Sequence, residues 1–395
     1  MENFEFPSME TETRMEYDLV CFSHLRWDFV YQRPQHLMSR LSGFYRVFFV
    51  EEPLFEAKKD HVRTARSEHN VWVVTPMLRP GGDVLSVNRR VRALVDQLFK
   101  EKNITQFIAW YYTPMALKFS AHLKPIVTIY DCMDELSAFR FAPVELKLLE
   151  AELFTKADVV FTGGYSLYKA KQKSHKNIHA FPSSIDKEHF MLARKTASEP
   201  ADQASIPPVR LGFYGVLDER FDIGLLEEVA RLRTQWQFVL LGPVVKISQE
   251  DLPRHQNIHY LGSKSYDELP AYLSGWDIAL IPFEKNEATR YISPTKTPEY
   301  LAGGKPVISA SIADVVEPYG VNGLVHIADD AVAFIEAAEL ILGMNDLTKN
   351  SWLEEVDTFL QDVSWSKTVA DMHSLIKECI LQKQDKKDAS LKSVA

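Results

Sequence analysis

Long apolar runs are missing from this 395-residue chain. Nowhere do about 18 uncharged apolar residues follow one another, so no segment reads as a membrane-spanning helix. Cysteine is scarce too: Cys21, Cys132 and Cys379 are far apart and odd in number. That excludes a disulfide framework and a zinc pattern, and points to a reduced, cytoplasmic protein. Residues 1–16 have no basic start followed by an apolar stretch and so lack the marks of a secretory signal. GxGxxG, GxxxxGK[ST] and HExxH are absent, which removes the residues that dinucleotide, phosphate-loop and zinc-protease readings need. No internal repeat of fixed period is visible. Positive charge is in deficit, with a net charge of −9, which argues against bulk nucleic-acid binding. The deficit is uneven: residues 1–190 hold 25 Lys and Arg against 24 Asp and Glu, which leaves 20 against 30 for the rest.

What is present is ordinary globular material, 46% hydrophobic and 25% charged. At roughly 100–200 residues per domain, two domains are expected. The stretch 195–208 (KTASEPADQASIPP) offers almost nothing large and apolar to a core and is the best linker. We place domains at 16–192 and 209–364 with a linker at 193–208, and read 382–395 as a frayed polar tail. On either side of the linker, short β-branched or aromatic runs alternate with segments of helical periodicity. In the first half the strands fall at 17–22, 46–50, 71–75, 107–111, 126–130 and 159–162, with helices at 35–41, 87–102 and 143–156. In the second half strands at 210–214, 237–241, 258–261, 278–281 and 306–309 alternate with helices at 223–233, 266–273, 298–302 and 331–342. A final amphipathic helix runs over 365–381. This alternation predicts an α/β protein of two doubly wound, Rossmann-like domains facing across a cleft, with ligands at the carboxyl ends of the strands.

The densest segment is 286–307 (NEATRYISPTKTPEYLAGGKPV). Pro294 and Pro298 rigidify a loop, through Thr295, that enters the short helix at 298–302, whose free N–H groups suit an anion, and Lys296 adds a full charge beside it. That arrangement holds a diphosphate without a metal. Glu299, one turn on, can accept two hydrogen bonds from vicinal hydroxyls such as those of a ribose. The bland alternative is a capped connector with a solvated lysine. The loop 215–222 (GVLDERFD) follows the first strand of this half, and Arg220 is its only cation. It either joins Lys296 on a diphosphate or pairs on the surface with its acidic neighbours. Gly215 opens that loop, and the turns at Gly242 and at Leu261-Gly262 beside Tyr260 also fall at strand ends, where they either let backbone approach a flat base or are plain turns.

In the first half, 23–36 (SHLRWDFVYQRPQH) gathers His24, Arg26, Trp27, Asp28, Arg33 and His36 after the first strand. Aromatics beside hydrogen-bonding groups suit a sugar, although either histidine can equally be structural. Tyr130-Asp131-Cys132-Met133-Asp134-Glu135 puts three carboxylates at a strand end, where they orient an acceptor hydroxyl, act as a base or cap a helix. We take His24, Asp131 and Asp134 as the catalytic candidates. The segment 87–102 surrounds an apolar stripe with basic residues, and 169–176 is basic as well. Such helices lie on anionic membranes or present a solvated face, so peripheral membrane contact through 87–102 is an expectation.

These residues resemble a known family. GFYGVLDER (212–220), LGPV (241–244), YLG (260–262), GWDIALIPF (275–283) and SPTKTPEYLAGGKPV (293–307) are similar to bacterial family-4 glycosyltransferases of the two-domain GT-B fold. WDFVYQRPQH (27–36) and YDCMDE (130–135) resemble the teichuronic-acid and exopolysaccharide branch. The resemblance covers roughly 17–381. It implies a retaining hexosyl transfer from a nucleoside-diphosphate sugar, commonly of uridine, to a saccharide or lipid-linked hydroxyl acceptor in cell-surface polysaccharide or glycolipid assembly. It implies neither a metal nor any cofactor besides the donor. By position, Glu299 would hold the ribose, Lys296 and Arg220 the diphosphate, and the turns at Gly242 and Tyr260 the base. The helix 365–381 would pack back on the first domain. Members often carry a second glutamate eight positions before Glu299. Tyr291 stands there, with Glu287 or Asn286 as the available substitutes. Two other readings fit the architecture, a sugar-nucleotide epimerase and a non-catalytic partner protein.

Overall fold

The computed structural model describes residues 17–196 and 198–392. Its strands are β1 (Asp18–Phe22), β2 (Arg46–Val50), β3 (His61–Arg66), β4 (Trp72–Met77), β5 (Phe107–Tyr111), β6 (Val127–Cys132), β7 (Val159–Thr162) and β8 (Ile178–Ala180), then β9 (Arg210–Tyr214), β10 (Gln237–Leu241), β11 (Ile258–Gly262), β12 (Ile278–Ile281), β13 (Val307–Ser309) and β14 (Val325–Ile327). They form an eight-stranded sheet of order β3-β4-β2-β1-β5-β6-β7-β8 and a six-stranded sheet of order β11-β10-β9-β12-β13-β14. In the first sheet β1–β2, β1–β5, β2–β4, β5–β6 and β7–β8 run parallel and β3 lies antiparallel to β4; every pair in the second sheet is parallel. Both are Rossmann-like α/β arrangements.

Parallel strands covered by helices on both faces must be apolar throughout, and β1, β5 and β9 are buried at every position. All eleven runs read as strands are strands. β3 escaped because it is an exposed edge with only Val62 and Thr64 turned partly inward. β8 and β14 have three residues each, too few for a periodicity. Both sheets reverse direction at a central strand: β1 pairs with β2 and β5, and β9 pairs with β10 and β12. The crevice beyond the carboxyl ends at such a reversal is where doubly wound folds bind ligands.

The chain divides into two compact units. One comprises residues up to Tyr130, 152–159 and those from Asp371 on; the other comprises 131–151 and 160–370. In the first, His373 of the closing helix stacks against Phe44 with ring centroids 4.0 Å apart. That helix runs from Trp365 to Lys392, so the polar stretch expected to fray from 382 continues as helix through Lys392. Lys383 pairs with Asp158 and Gln384 reaches the Tyr17 hydroxyl, which a composition count does not reveal. Residues 393–395 of that expected tail, and the 1–16 stretch read as lacking a signal, lie outside the described residues.

The expected linker does more than its composition suggests. Gln203 is wholly buried, donating to the Tyr272 carbonyl and accepting from Trp276 Nε1, both at 2.9 Å. Ile206 joins the core of the same unit. A single long amide with both ends bonded can be buried at little cost, and no count of apolar residues detects it.

The basic segment expected to touch a membrane forms the helix Val84–Glu101, but its apolar stripe is already used. Val91, Leu94 and Val95 pack with Leu78, and Arg90 is held by Asp60 at 2.6 and 2.7 Å. The stripe therefore faces the core, and any contact of this helix with a membrane would fall to its exposed start at Val84 and Leu85.

Candidate functional site

At the carboxyl end of β9 the chain passes Tyr214 and enters Gly215, whose φ of +139° suits only glycine. A Cβ there would lie 2.4 Å from Lys296 Cε and 2.8 Å from Nζ, so the lysine crosses directly over this residue. Gly242, after β10, has φ +137°, and a Cβ on it would stand 1.9 Å from the Gly215 carbonyl oxygen. The two glycines therefore let the β9 and β10 ends close together, with Lys296 laid across the first. Gly242 N–H donates to the carbonyl of Gly262 at 2.8 Å, tying in the β11 end as well.

Lys296 opens the helix Lys296–Ala302, with Thr295 as the residue before it. This helix has only seven residues, so the lysine rather than the helix end carries the positive charge. Its ammonium lies 5.5 Å from the Phe213 ring centre and 5.8 Å from that of Phe283. Burial pushes the Lys296 pKa down, the charge of Arg220 pushes it the same way, and Glu299 and Asp218 oppose them. Glu299 is 5% exposed and accepts a 2.7 Å hydrogen bond from the Tyr214 hydroxyl. Burial drives its pKa up, against the Tyr214 bond and the Lys296 charge.

Arg220 makes a two-pronged pair with Asp218, with contacts at 2.9 and 2.7 Å. Asp218 is 4% exposed, so this is not the surface pair considered from sequence. Burial works against the Arg220 charge, but Asp218 outweighs it, followed by the fields of Asp134 and Glu219. Arg220 also lies over the ring of Phe139 at 5.5 Å, and Lys246 lies over the same ring at 5.0 Å. Two cations, Arg220 and Lys296, thus repel one another at the ends of β9 and β12. An anion placed against both would relieve that repulsion.

The structure therefore brings Gly215, Gly242, Arg220, Lys296 and Glu299 together in the second unit and sets Asp134 within the field of Arg220. Thr295 adjoins Lys296. Tyr260 sits on β11, partly buried against the core, with its hydroxyl bonded to the Pro253 carbonyl at 3.0 Å. Asp131 is wholly buried at the end of β6. His24 is half-buried and belongs to the first unit.

The 23–36 segment finds mostly structural work. Glu51 takes the Trp27 N–H at 2.8 Å and Arg26 at 3.1 Å, Trp27 is 8% exposed against Phe49, and Gln35 caps its helix. Trp27 is therefore not an open platform for a sugar. Near Tyr291, Asn286 spends its side chain on the N–H groups of Ala288 and Thr289, and Glu287 pairs with Arg290.

Sequence reasoning missed Tyr214, which orients Glu299, and Phe139, which lies under Arg220. A tyrosine immediately before Gly215 at a strand end was a usable signal. Nothing in the local pattern marked Phe139. Among the described residues, no three His, Cys, Asp or Glu side chains converge as metal ligands, and no helix is long and apolar enough to cross a membrane.

Residues 209–344 match the family described as "Glycosyl transferases group 1". Over 255 residues, 60% of the chain, the sequence is 26% identical to TuaH of Bacillus subtilis (strain 168), a protein named as a teichuronic acid biosynthesis glycosyltransferase. The match spans 64% of that relative's length. Sucrose-phosphate synthase from Thermosynechococcus elongatus superposes with a TM-score of 0.68 at 13% identity, covering 93% of this chain and 100% of that one. HepE of Anabaena, solved in complex with UDP and glucose, gives 0.65 at 14% identity over 91% and 99% of the two chains. The fold is the two-domain GT-B arrangement, and over residues 209–344 the chain carries a group 1 glycosyltransferase domain.

Proposed function

We propose that the protein transfers a sugar from a nucleoside-diphosphate sugar, with uridine as the base, to a hydroxyl acceptor in cell-surface polysaccharide or glycolipid assembly. The observation that carries this reading is the crossing of Lys296 over Gly215 beside Arg220, with buried Glu299 one turn along the same helix. Two fixed cations suit a diphosphate, and a carboxylate held by one tyrosine retains lone pairs for a ribose diol. The likeness to TuaH supports the polysaccharide setting, and the UDP in the HepE structure supports the base. Three buried free cysteines fit work in the reducing cytoplasm.

As the sugar–phosphate bond breaks, negative charge gathers on the departing diphosphate, where Lys296 and Arg220 stabilise it. That supply of charge makes a metal unnecessary. In a retaining transfer without a covalent intermediate, the leaving phosphate takes the acceptor's proton. Asp131 and Asp134 then position the acceptor and need not act as bases. One observation favours a second reading, a non-catalytic sugar-nucleotide binder: Tyr291 stands where a glutamate is usual, with Arg290 over its ring at 5.2 Å.

The test is a panel of UDP-, GDP- and dTDP-sugars incubated with the protein and a membrane extract as acceptor source, with release of free nucleotide followed. Turnover of one donor that is lost in Lys296→Ala supports transfer. Binding without turnover supports the second reading.

A further inference from the structure

The segment after Asp134 carries a feature the donor site does not use. Phe139 is anchored beside Arg220 and Lys246, and the chain then turns tightly, Ala142 N–H donating to the Phe139 carbonyl at 3.1 Å. Within that turn Phe141 adopts φ +67°, a conformation that is an outlier for a bulky residue, and its ring is 79% exposed. Three and seven residues on, Val144 and Leu148 are 94% and 76% exposed. A first turn links them, with Leu148 N–H donating to the Glu145 carbonyl, so Val144 and Leu148 share a face at helical spacing. The same helix, Leu146–Lys156, buries Leu146 and Leu153 on its other side. The outward residues are therefore not what holds it in place.

We propose that Phe141, Val144 and Leu148 form a wedge that inserts into the surface of an anionic phospholipid bilayer. Charge selects this occupant. In a chain of net charge −9, residues 139–176 hold seven Lys and Arg against four Asp and Glu. Lys171 is spent internally on Glu135 and Glu150 at 2.7 and 2.8 Å and Glu145 is half-buried, but Arg140 and Lys147, both exposed, flank the wedge directly, and Lys169, Lys173 and Lys176 are exposed as well. Exposed apolar side chains flanked by cations are the composition that partitions into an anionic headgroup layer. The wedge lies two residues from the ring under Arg220, so docking would bring a lipid-carried acceptor to the donor cations. That last step rests on the glycosyltransfer reading; the docking does not.

Flotation with phosphatidylglycerol–phosphatidylcholine vesicles, against pure phosphatidylcholine, tests it at low and high salt. The full chain is expected to float with the anionic vesicles at low salt. Phe141→Ser/Val144→Ser/Leu148→Ser is expected to lower partitioning by about tenfold or more, while its melting temperature and UDP affinity stay at the parent's. Unchanged UDP affinity with lost flotation keeps docking separate from the donor site, and absence of UDP binding in both proteins would fault the functional reading alone. Three results would overturn the proposal. The parent fails to float at low salt, the triple variant floats as well as the parent, or the variant dissolves a dimer seen by sedimentation while vesicle binding stays absent. A parallel variant, Leu85→Ser/Arg89→Glu/Arg92→Glu, covers the exposed start of the helix Val84–Glu101. If it alone abolishes flotation, the contact lies there instead.

Discussion

Lys296 is a cation in an unfavourable place. Burial and the neighbouring Arg220 both weaken its hold on a proton, down to a pKa of about 8. A diphosphate needs the ammonium form. Donor affinity is therefore expected to be full below about pH 8 and to fall, by up to tenfold per pH unit, as the pH rises through that value. In Lys296→Arg the guanidinium keeps its charge, so the fall should vanish even if absolute affinity changes. A titration series by calorimetry from pH 6.5 to about 9.5 reads both; a flat profile in the parent would contradict the assignment. Gly215→Ala is the complementary test, because its Cβ would meet Lys296 Cε at 2.4 Å in a backbone conformation that disfavours alanine. We expect a stability loss of about 1–3 kcal/mol together with weakened UDP binding. Tyr214→Phe should cost about 1–3 kcal/mol in denaturant melts, since it strips the hydrogen bond from a buried carboxyl group. These effects involve side chains that meet across strand ends. The sequence suggested Lys296, Glu299 and Arg220 through their positions near strand ends, but Asp218 as a buried partner and Tyr214 as a donor emerge only once β9 and the Lys296–Ala302 helix are folded together.

Among the elements, legibility followed burial. β1, β5 and β9 are buried along their length and read as continuous apolar runs. The helix Asp346–Phe359 was invisible because Val356 is its one fully buried residue, so no stripe marks it. Tyr165–Lys171, with Leu167 alone buried, escaped for the same reason. The 195–208 stretch shows the converse error, in which a polar segment is fastened by one amide. Gln203→Ala leaves Trp276 Nε1 and the Tyr272 carbonyl without that partner in a dry core, and should cost about 1–3 kcal/mol per group. A melting curve indistinguishable from the parent's would show that the segment is as dispensable as its composition implies.

For the molecule as a whole, two Rossmann-like sheets each reverse direction at a central strand, and each reversal creates a place for a ligand. The uneven charge matches this division of labour. The acid excess lies in the half that also holds Lys296 and Arg220, so anion binding there depends on those few cations and not on a general field. Donor binding should consequently be only weakly sensitive to salt. Peripheral attachment to an anionic surface, resting on the 139–176 stretch, should be strongly sensitive. The alternation of strand and helix made the two-sheet plan legible from sequence. What the sequence could not show is where the apolar stripe of 87–102 points, because a basic helix looks the same whether its stripe meets a bilayer or, as Val91, Leu94 and Val95 do, the core.

The central claim is that Lys296 and Arg220 hold the diphosphate of a sugar nucleotide without a metal. Calorimetric titration of UDP, GDP, dTDP and NAD, each with and without a chelator and repeated on Lys296→Ala, tests it most directly. The account predicts that UDP binds, that the chelator changes nothing, and that Lys296→Ala weakens the binding by about 1.5–3 kcal/mol. Binding of none of the four, or equal UDP affinity in parent and variant, would contradict it.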